Sequence, residues 1–191
     1  MRSERARPAA PPPPPRPSAV LPPGLAPLAL LVLLCAAPAR AEPVPEHDLK
    51  AAFVFNFAVF TAWPAQALPG AAPIVVCASP GGALFGALGK LNDKTVNGHR
   101  VAVLGTPPGA AGCHLLVLER GERERSAQSR AELAAAHVLT VSDRAPGPGD
   151  GAVIGLWSEN ARIGFDVDLG AARAAGLVLS SKLLRLARSA Q

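Results

Sequence analysis

The sequence predicts an α/β fold: a single three-layer domain whose mixed, mostly parallel sheet of about five or six strands lies between helices and ends in an antiparallel hairpin. Three observations predict it. Short apolar runs lie at 74–78, 114–119 and 138–142, the first of them β-branched and bounded by Pro73 and by Ser79-Pro80-Gly81-Gly82, as a buried strand is. Helix-length segments separate them, and crossovers of that length join parallel neighbours. Finally, 152–158 and 162–169 flank Glu159-Asn160-Ala161 as the arms of a hairpin.

The first 41 residues read as a cleaved secretory signal. Arg2, Arg5, Arg7 and Arg16 lie in a proline-rich leader, residues 28–34 are an apolar run, and Ala39-Arg40-Ala41 offers small residues around a cleavable bond. Pro27 and Pro38 bracket an apolar stretch about half as long as a bilayer span, which argues against a retained anchor. Cys35 raises a lipoprotein alternative, but Leu34 precedes it where a small residue is usual. The leader takes five of the 19 Lys and Arg and one of the 14 acids, leaving 14 basic and 13 acidic side chains on residues 42–191. The high overall charge therefore belongs to the leader, and no nucleic-acid footprint remains.

Residues 49–62 predict a helix. Leu49, Phe53, Phe57 and Phe60 recur at the spacing of one helical face, and Trp63-Pro64 stops the run. Val54, Phe55 and Val59 make the opposite side apolar too, so the helix should be buried on more than one side. Residues 51–64 hold five of the chain's eight aromatics, and most of them should be core.

After the linker 65–73 and the strand 74–78, the Gly-rich turn at 79–82 leads to a helix over 83–91. Asn97-Gly98 turns Thr95-Val96 back on 101–104. The strand 114–119, the charged run 120–130, a helix over 131–136 and the strand 138–142 follow, then a loop over 143–151. Beyond the hairpin, 171–175 predicts a short helix closed by Gly176, and Ser180 or Ser181 can cap a last helix over 182–188.

No catalytic set emerges. His47, His99, His114 and His137 lie far apart with no zinc-site spacing, and each is read as structural, although a site assembled only in space stays open. No local motif calls for a metal or cofactor. Gly81, Gly82, Gly86, Gly89 and Lys90 do not make a phosphate loop, because Leu84 stands where its first glycine belongs and Leu91 where Ser or Thr would hold magnesium. A Gly-rich turn before a helix can still bind an anion, while the plainer reading is a tight strand-to-helix turn. No G-x-S-x-G elbow is present. Asp166 and Asp168 read as two solvated acids beside Arg162.

Cys77 and Cys113 remain after cleavage. In an oxidising compartment such a pair is a disulfide candidate; two buried thiols packing as small hydrophobes are the alternative. Their positions create a tension. Between parallel neighbours Cys77 falls near the end of one strand and Cys113 before the start of the other, unless the Gly112 loop folds back to give the ~4.4–6.8 Å Cα spacing a bridge needs.

Several stretches together resemble the YfiR family of periplasmic proteins. They are Leu49-Lys50-Ala51-Ala52-Phe53 running to Phe60 and Trp63-Pro64, Val75-Val76-Cys77, Asn97-Gly98, and Gly112-Cys113-His114-Leu115-Leu116. Further on come Val138 to Asp143 (VLTVSD), Arg162 to Leu169 (RIGFDVDL) and Ala175 to Ala187 (AGLVLSSKLLRLA). The resemblance implies a non-enzymatic periplasmic regulator without cofactor, which inhibits an inner-membrane diguanylate cyclase by binding its periplasmic sensor domain. It also implies release by an outer-membrane, peptidoglycan-binding lipoprotein, with cyclic di-GMP and biofilm formation as output. Cys77 and Cys113 match a family cysteine pair able to form a redox-sensitive disulfide; a second pair carried by some members is missing from 145–151. Partner or ligand contact is expected on the tract 177–186, with Leu179, Ser180, Ser181 and Leu184 as contact residues and Arg173 as a flanking charge. An exposed final helix would allow a homodimer. The alternative function is a periplasmic small-molecule sensor module, with a pocket near Trp157 or the same tract, acting on another membrane signalling protein.

Overall fold

The computed structural model describes residues 44–119, 130–144, 151–160 and 162–191. The leader, nearly all of the charged run 120–130, and most of the loop 143–151 lie outside the described residues.

Helix α1 (Glu46–Val59) opens the domain. Its inner stripe is Lys50, Ala51, Val54, Phe57 and Ala58, one residue out of phase with the predicted stripe, and Leu49 is exposed. Lys50 takes the inward place because two carboxylates await it, as described below. Phe57 is fully buried and packs edge-on against Phe165 at 5.0 Å between centroids, with Phe53 6.1 Å from each. Such tilted aromatic contacts contribute beyond simple area burial. Phe53, Phe55, Phe60 and Trp63 are half-buried against the same core, so the aromatic segment is a core helix.

The helix ends earlier than its periodicity predicts. Thr61–Ala62 forms a short strand, β1, that pairs antiparallel with β9 (Val178–Leu179) in a separate two-stranded sheet.

The main sheet is built from β2 (Ile74–Ala78), β3 (Thr95–Val96), β4 (His99–Gly105), β5 (Leu115–Leu118), β6 (Leu139–Asp143), β7 (Ile154–Glu159), β8 (Arg162–Val167) and β10 (Ser189–Ala190). Its spatial order is β10-β8-β7-β6-β5-β2-β4-β3. The β7–β8 hairpin and the β3–β4 pair are antiparallel, and every other pairing is parallel. Two of the eight strands, β3 and β10, are two-residue edge strands; Asn97-Gly98 signalled the first, and nothing in the sequence signalled the second.

Helices α2 (Phe85–Gly89), α3 (Arg130–Ala135), α4 (Leu169–Ala174) and α5 (Ser181–Leu186) complete the chain. Strand alternation sends Ile74, Val76, Val101, Val103, Leu115, Val117, Leu139 and Val141 to one face, where α1, Leu88 of α2, Ala172 of α4 and Leu183 of α5 meet them. Cys77, Leu116 and Leu118 point the other way, into a smaller cluster with Ala110, Cys113, Val138 and Leu133 of α3. Both faces of the central strands are thus covered, which explains their continuous apolar runs.

Candidate functional site

Three regions carry the side chains singled out by the sequence. The first is the second face of the sheet, where Cys77 and Cys113 form a disulfide with a Cα–Cα distance of 5.8 Å. The parallel register sets Cys77 beside Leu116 and passes the His114 N–H to the Val75 carbonyl, which puts Cys113 before its strand has begun. The turn 107–113 resolves the tension. A 3₁₀ turn at Pro108–Ala110, a Cys113 N–H bond to the Ala110 carbonyl and left-handed backbone at Gly109, Ala110 and Gly112 fold the segment back over the strand ends. Both half-cystines are buried. Closing a loop of 36 residues stabilises the fold by roughly 3–4 kcal/mol in the chain-entropy account.

The second region is the C-terminal tract. Asp168 caps α4 by accepting the Ala171 N–H at 2.8 Å, and Gly176, at positive φ, closes the helix. Ser180 then does two structural jobs: its N–H binds the Phe60 carbonyl, and its hydroxyl accepts from Lys182 N–H as the cap of α5. Of the residues expected to contact a partner, Arg173 and Ser181 are exposed, while Leu179, Ser180 and Leu184 are half-buried. Two neighbours are more open still. Val178 is 68% and Leu186 69% exposed, the highest among the exposed large hydrophobic residues described. Strand alternation beside buried Leu177 is the signal that would have found Val178. Leu186 closes α5 four residues after exposed Lys182, on the outer side of the helix, before the backbone turns extended at Ala187.

The third region is the outer side of the hairpin. Asp166 is not a solvated acid beside Arg162. Its carboxylate receives Arg188, Arg144, the Trp157 indole N–H and the Ser189 hydroxyl, all between 2.7 and 3.1 Å. Burial alone would raise its pKa, but the bonds from Arg188 and Ser189, with help from Trp157, hold it below the usual carboxylate value. The Arg188 guanidinium also stacks over the Trp157 ring at 4.6 Å. Gly164, opposite Trp157 in the hairpin, leaves room for that ring, since a Cβ there would sit 2.3 Å from it. Arg162 instead faces Glu159 across the strands.

The Gly-rich turn after β2 has its own anion. At the switch point, where the chain runs from β2 outward to β4 on one side and to β5 on the other, an open α/β sheet usually takes its ligand. Here the Glu119 carboxylate accepts the Ala83 and Leu84 N–H groups at 2.8 and 3.0 Å, and a Cβ on Gly82 would collide with it. The turn's donors are therefore met from within.

The titratable groups are tied to the scaffold. His114 accepts the Val75 N–H through Nδ1 and donates through Nε2 to the Ala67 carbonyl, an arrangement only neutral imidazole can make. Burial lowers its pKa, outweighing the Ala67 bond, and the nearby His99 adds to the lowering. His99 and His137 donate to the Ala72 and Ala175 carbonyls, and His47 is exposed. Lys50, which sequence reasoning missed as a buried group, binds both Asp143 oxygens at 2.8 and 2.9 Å and Glu46 at 2.8 Å. Burial would lower its pKa, but these carboxylates outweigh that and raise it. Among the described residues no three His, Cys, Asp or Glu side chains group as metal ligands.

A mostly parallel α/β domain with one internal bridge, whose C-terminal tract exposes Val178 and Leu186, is a class of protein to which one family fits over nearly the whole of the described chain. Residues 47–188 match the family described as DUF4154, YfiR/HmsC-like, and the chain belongs to that family. The family is a regulatory one. It is also similar to a solved structure titled as a conserved domain protein from Vibrio cholerae O1 biovar El Tor str. N16961, with 12% identity and a TM-score of 0.45. That match covers 78% of this chain and 62% of the other, so this chain spans less than two thirds of it. The comparison with curated proteins gives no match.

Proposed function

We propose that this protein is a periplasmic, non-enzymatic repressor that holds an inner-membrane diguanylate cyclase off by binding its periplasmic sensor domain. The observation that carries the reading is the family match across residues 47–188. The Cys77–Cys113 bridge suits an oxidising compartment, and among the described residues no helix is long and apolar enough to cross a membrane. Contact is made through the C-terminal tract, with Leu179, Ser180, Ser181 and Leu184 at its centre and Arg173 beside it. Support for this choice comes from the exposure of Val178 and Leu186 in the same tract, two apolar side chains that contact with a partner would cover. Capture by an outer-membrane, peptidoglycan-binding lipoprotein would release the cyclase, and the bridge would make the exchange redox-sensitive.

The test is a pull-down with the periplasmic domain of a membrane diguanylate cyclase encoded beside this protein, in oxidised and reduced buffer. Retention, together with a fall in cellular cyclic di-GMP on expression of the repressor, supports the reading. An empty pull-down in both redox states sinks it.

A further inference from the structure

The chain from residue 169 to 191 carries four cations, Arg173, Lys182, Arg185 and Arg188, and no acid. Residues 42–191 as a whole are nearly balanced in charge, so this is segregation rather than a general excess. Arg188 is engaged by Asp166. Arg173, Lys182 and Arg185 are exposed, and none of the ion pairs among the described residues involves them. Lys182, Arg185 and Leu186 share the outer side of α5, three and four residues apart, while Leu183 points inward. Leu186 thus shares that side of α5 with two exposed cations, Arg185 also donating to the Ser181 hydroxyl, while Val178 and Arg173 are exposed elsewhere in the same tract.

We propose that this surface takes a protein domain presenting an acidic rim around an apolar contact. The inference rests on the docking reading above and adds the chemistry of the partner. A second copy of this chain fits poorly, because a two-fold contact through the same patch would bring like charges face to face. A lipid surface fits less well too. Helix α5 has six residues and turns Leu183 into the core, and no aromatic residue occurs from 169 to 191 to seat at a headgroup boundary.

The experiment measures association and dissociation rates of the exported, oxidised protein on the cyclase periplasmic domain used in the pull-down, between about 50 and 300 mM salt. Variants K182E/R185E, R173E and V178S/L186S are compared, with circular dichroism as the folding control. Charge steering predicts roughly a tenfold slower association at the higher salt and again for K182E/R185E, with dissociation little changed. V178S/L186S should act the other way, mainly speeding dissociation. Wild-type binding that ignores both salt and charge reversal overturns the acidic-rim proposal and leaves the docking reading standing. Wild-type protein that fails to bind at either salt removes both. A third arm uses vesicles of phosphatidylethanolamine and phosphatidylglycerol. Vesicle binding abolished by K182E/R185E, with cyclase-domain binding unaffected, overturns the proposal in favour of an anionic lipid surface.

Discussion

Single residues decide more here than their types suggest. Asp143 is the main partner of a lysine that is 4% exposed, and Glu46, the other partner, is itself half in solvent. Replacing Asp143 by Ala strands that charge, so D143A should cost about 3 kcal/mol in chemical denaturation, whereas Lys50→Met, which removes the buried charge itself, should cost less. A D143A loss no larger than that of K50M would contradict the account. The bridge makes a second residue-scale prediction. Oxidised, denatured protein should present no titratable thiol from Cys77 or Cys113 and two after reductant, and C77S/C113S should unfold roughly 3 kcal/mol more easily. What the sequence hid at this scale has a common cause. Lys50 meets Asp143 across 93 positions, and Asp166 meets Arg144 and Arg188 across 22 each. Such pairs depend on strand register and helix rotation, which no local pattern records. Cys77 and Cys113 were legible as a pair, but the turn that joins them depends on left-handed backbone at Ala110 as well as at glycines.

At the scale of elements, periodicity worked wherever burial was one-sided or complete. The apolar runs at β2, β5 and β6 were legible because those strands are buried along nearly their whole length, and the alternation in β8 because Phe165 and Val167 are buried while Asp166 between them is not. Helix α1 was legible as a helix, but its apolar residues lie nearly all round it, so its rotation and its end were not. β1 exists only because β9 lies beside it. The segment between α1 and β2 is held by His99 and His114, and this has a pH consequence. The folded-state pKa of His114 is lowered, so below about pH 6.5 the unfolded chain binds a proton that the folded one resists. Its contribution is intact above the unfolded value and is lost as pH falls toward and through the folded one. Stability should therefore drop on acidification from pH 7, with a slope of at most about 1.4 kcal/mol per unit from this one group. His114→Asn should flatten that slope in urea melts at stepped pH, and an unchanged slope would assign the effect elsewhere. Asp166 acts at lower pH: its lowered pKa stabilises the fold above the ordinary carboxylate value, and that support fades as pH falls through the folded value.

For the whole molecule, the prediction is that interaction and stability separate. V178S and L186S change side chains that are 68% and 69% exposed, so the melting temperature should hold while the proposed docking to a cyclase domain weakens. A large fall in melting temperature would mean that these residues pack rather than dock. Export should leave a mature chain starting near residue 42, which intact-mass measurement of the periplasmic fraction checks directly. The sheet's rims carry one more consequence. Both outer strands, β3 and β10, are two residues long, so neither offers a template on which a neighbouring molecule's backbone could extend the sheet. On one side the Asp166 carboxylate, through Arg188 and Ser189, adds to the backbone bonds that hold β10 against the end of β8. Asp166→Ala should loosen this short cover without freeing the strand, and the change should appear as added self-association of concentrated protein in light scattering, with no change there contradicting a protective role for the clamp.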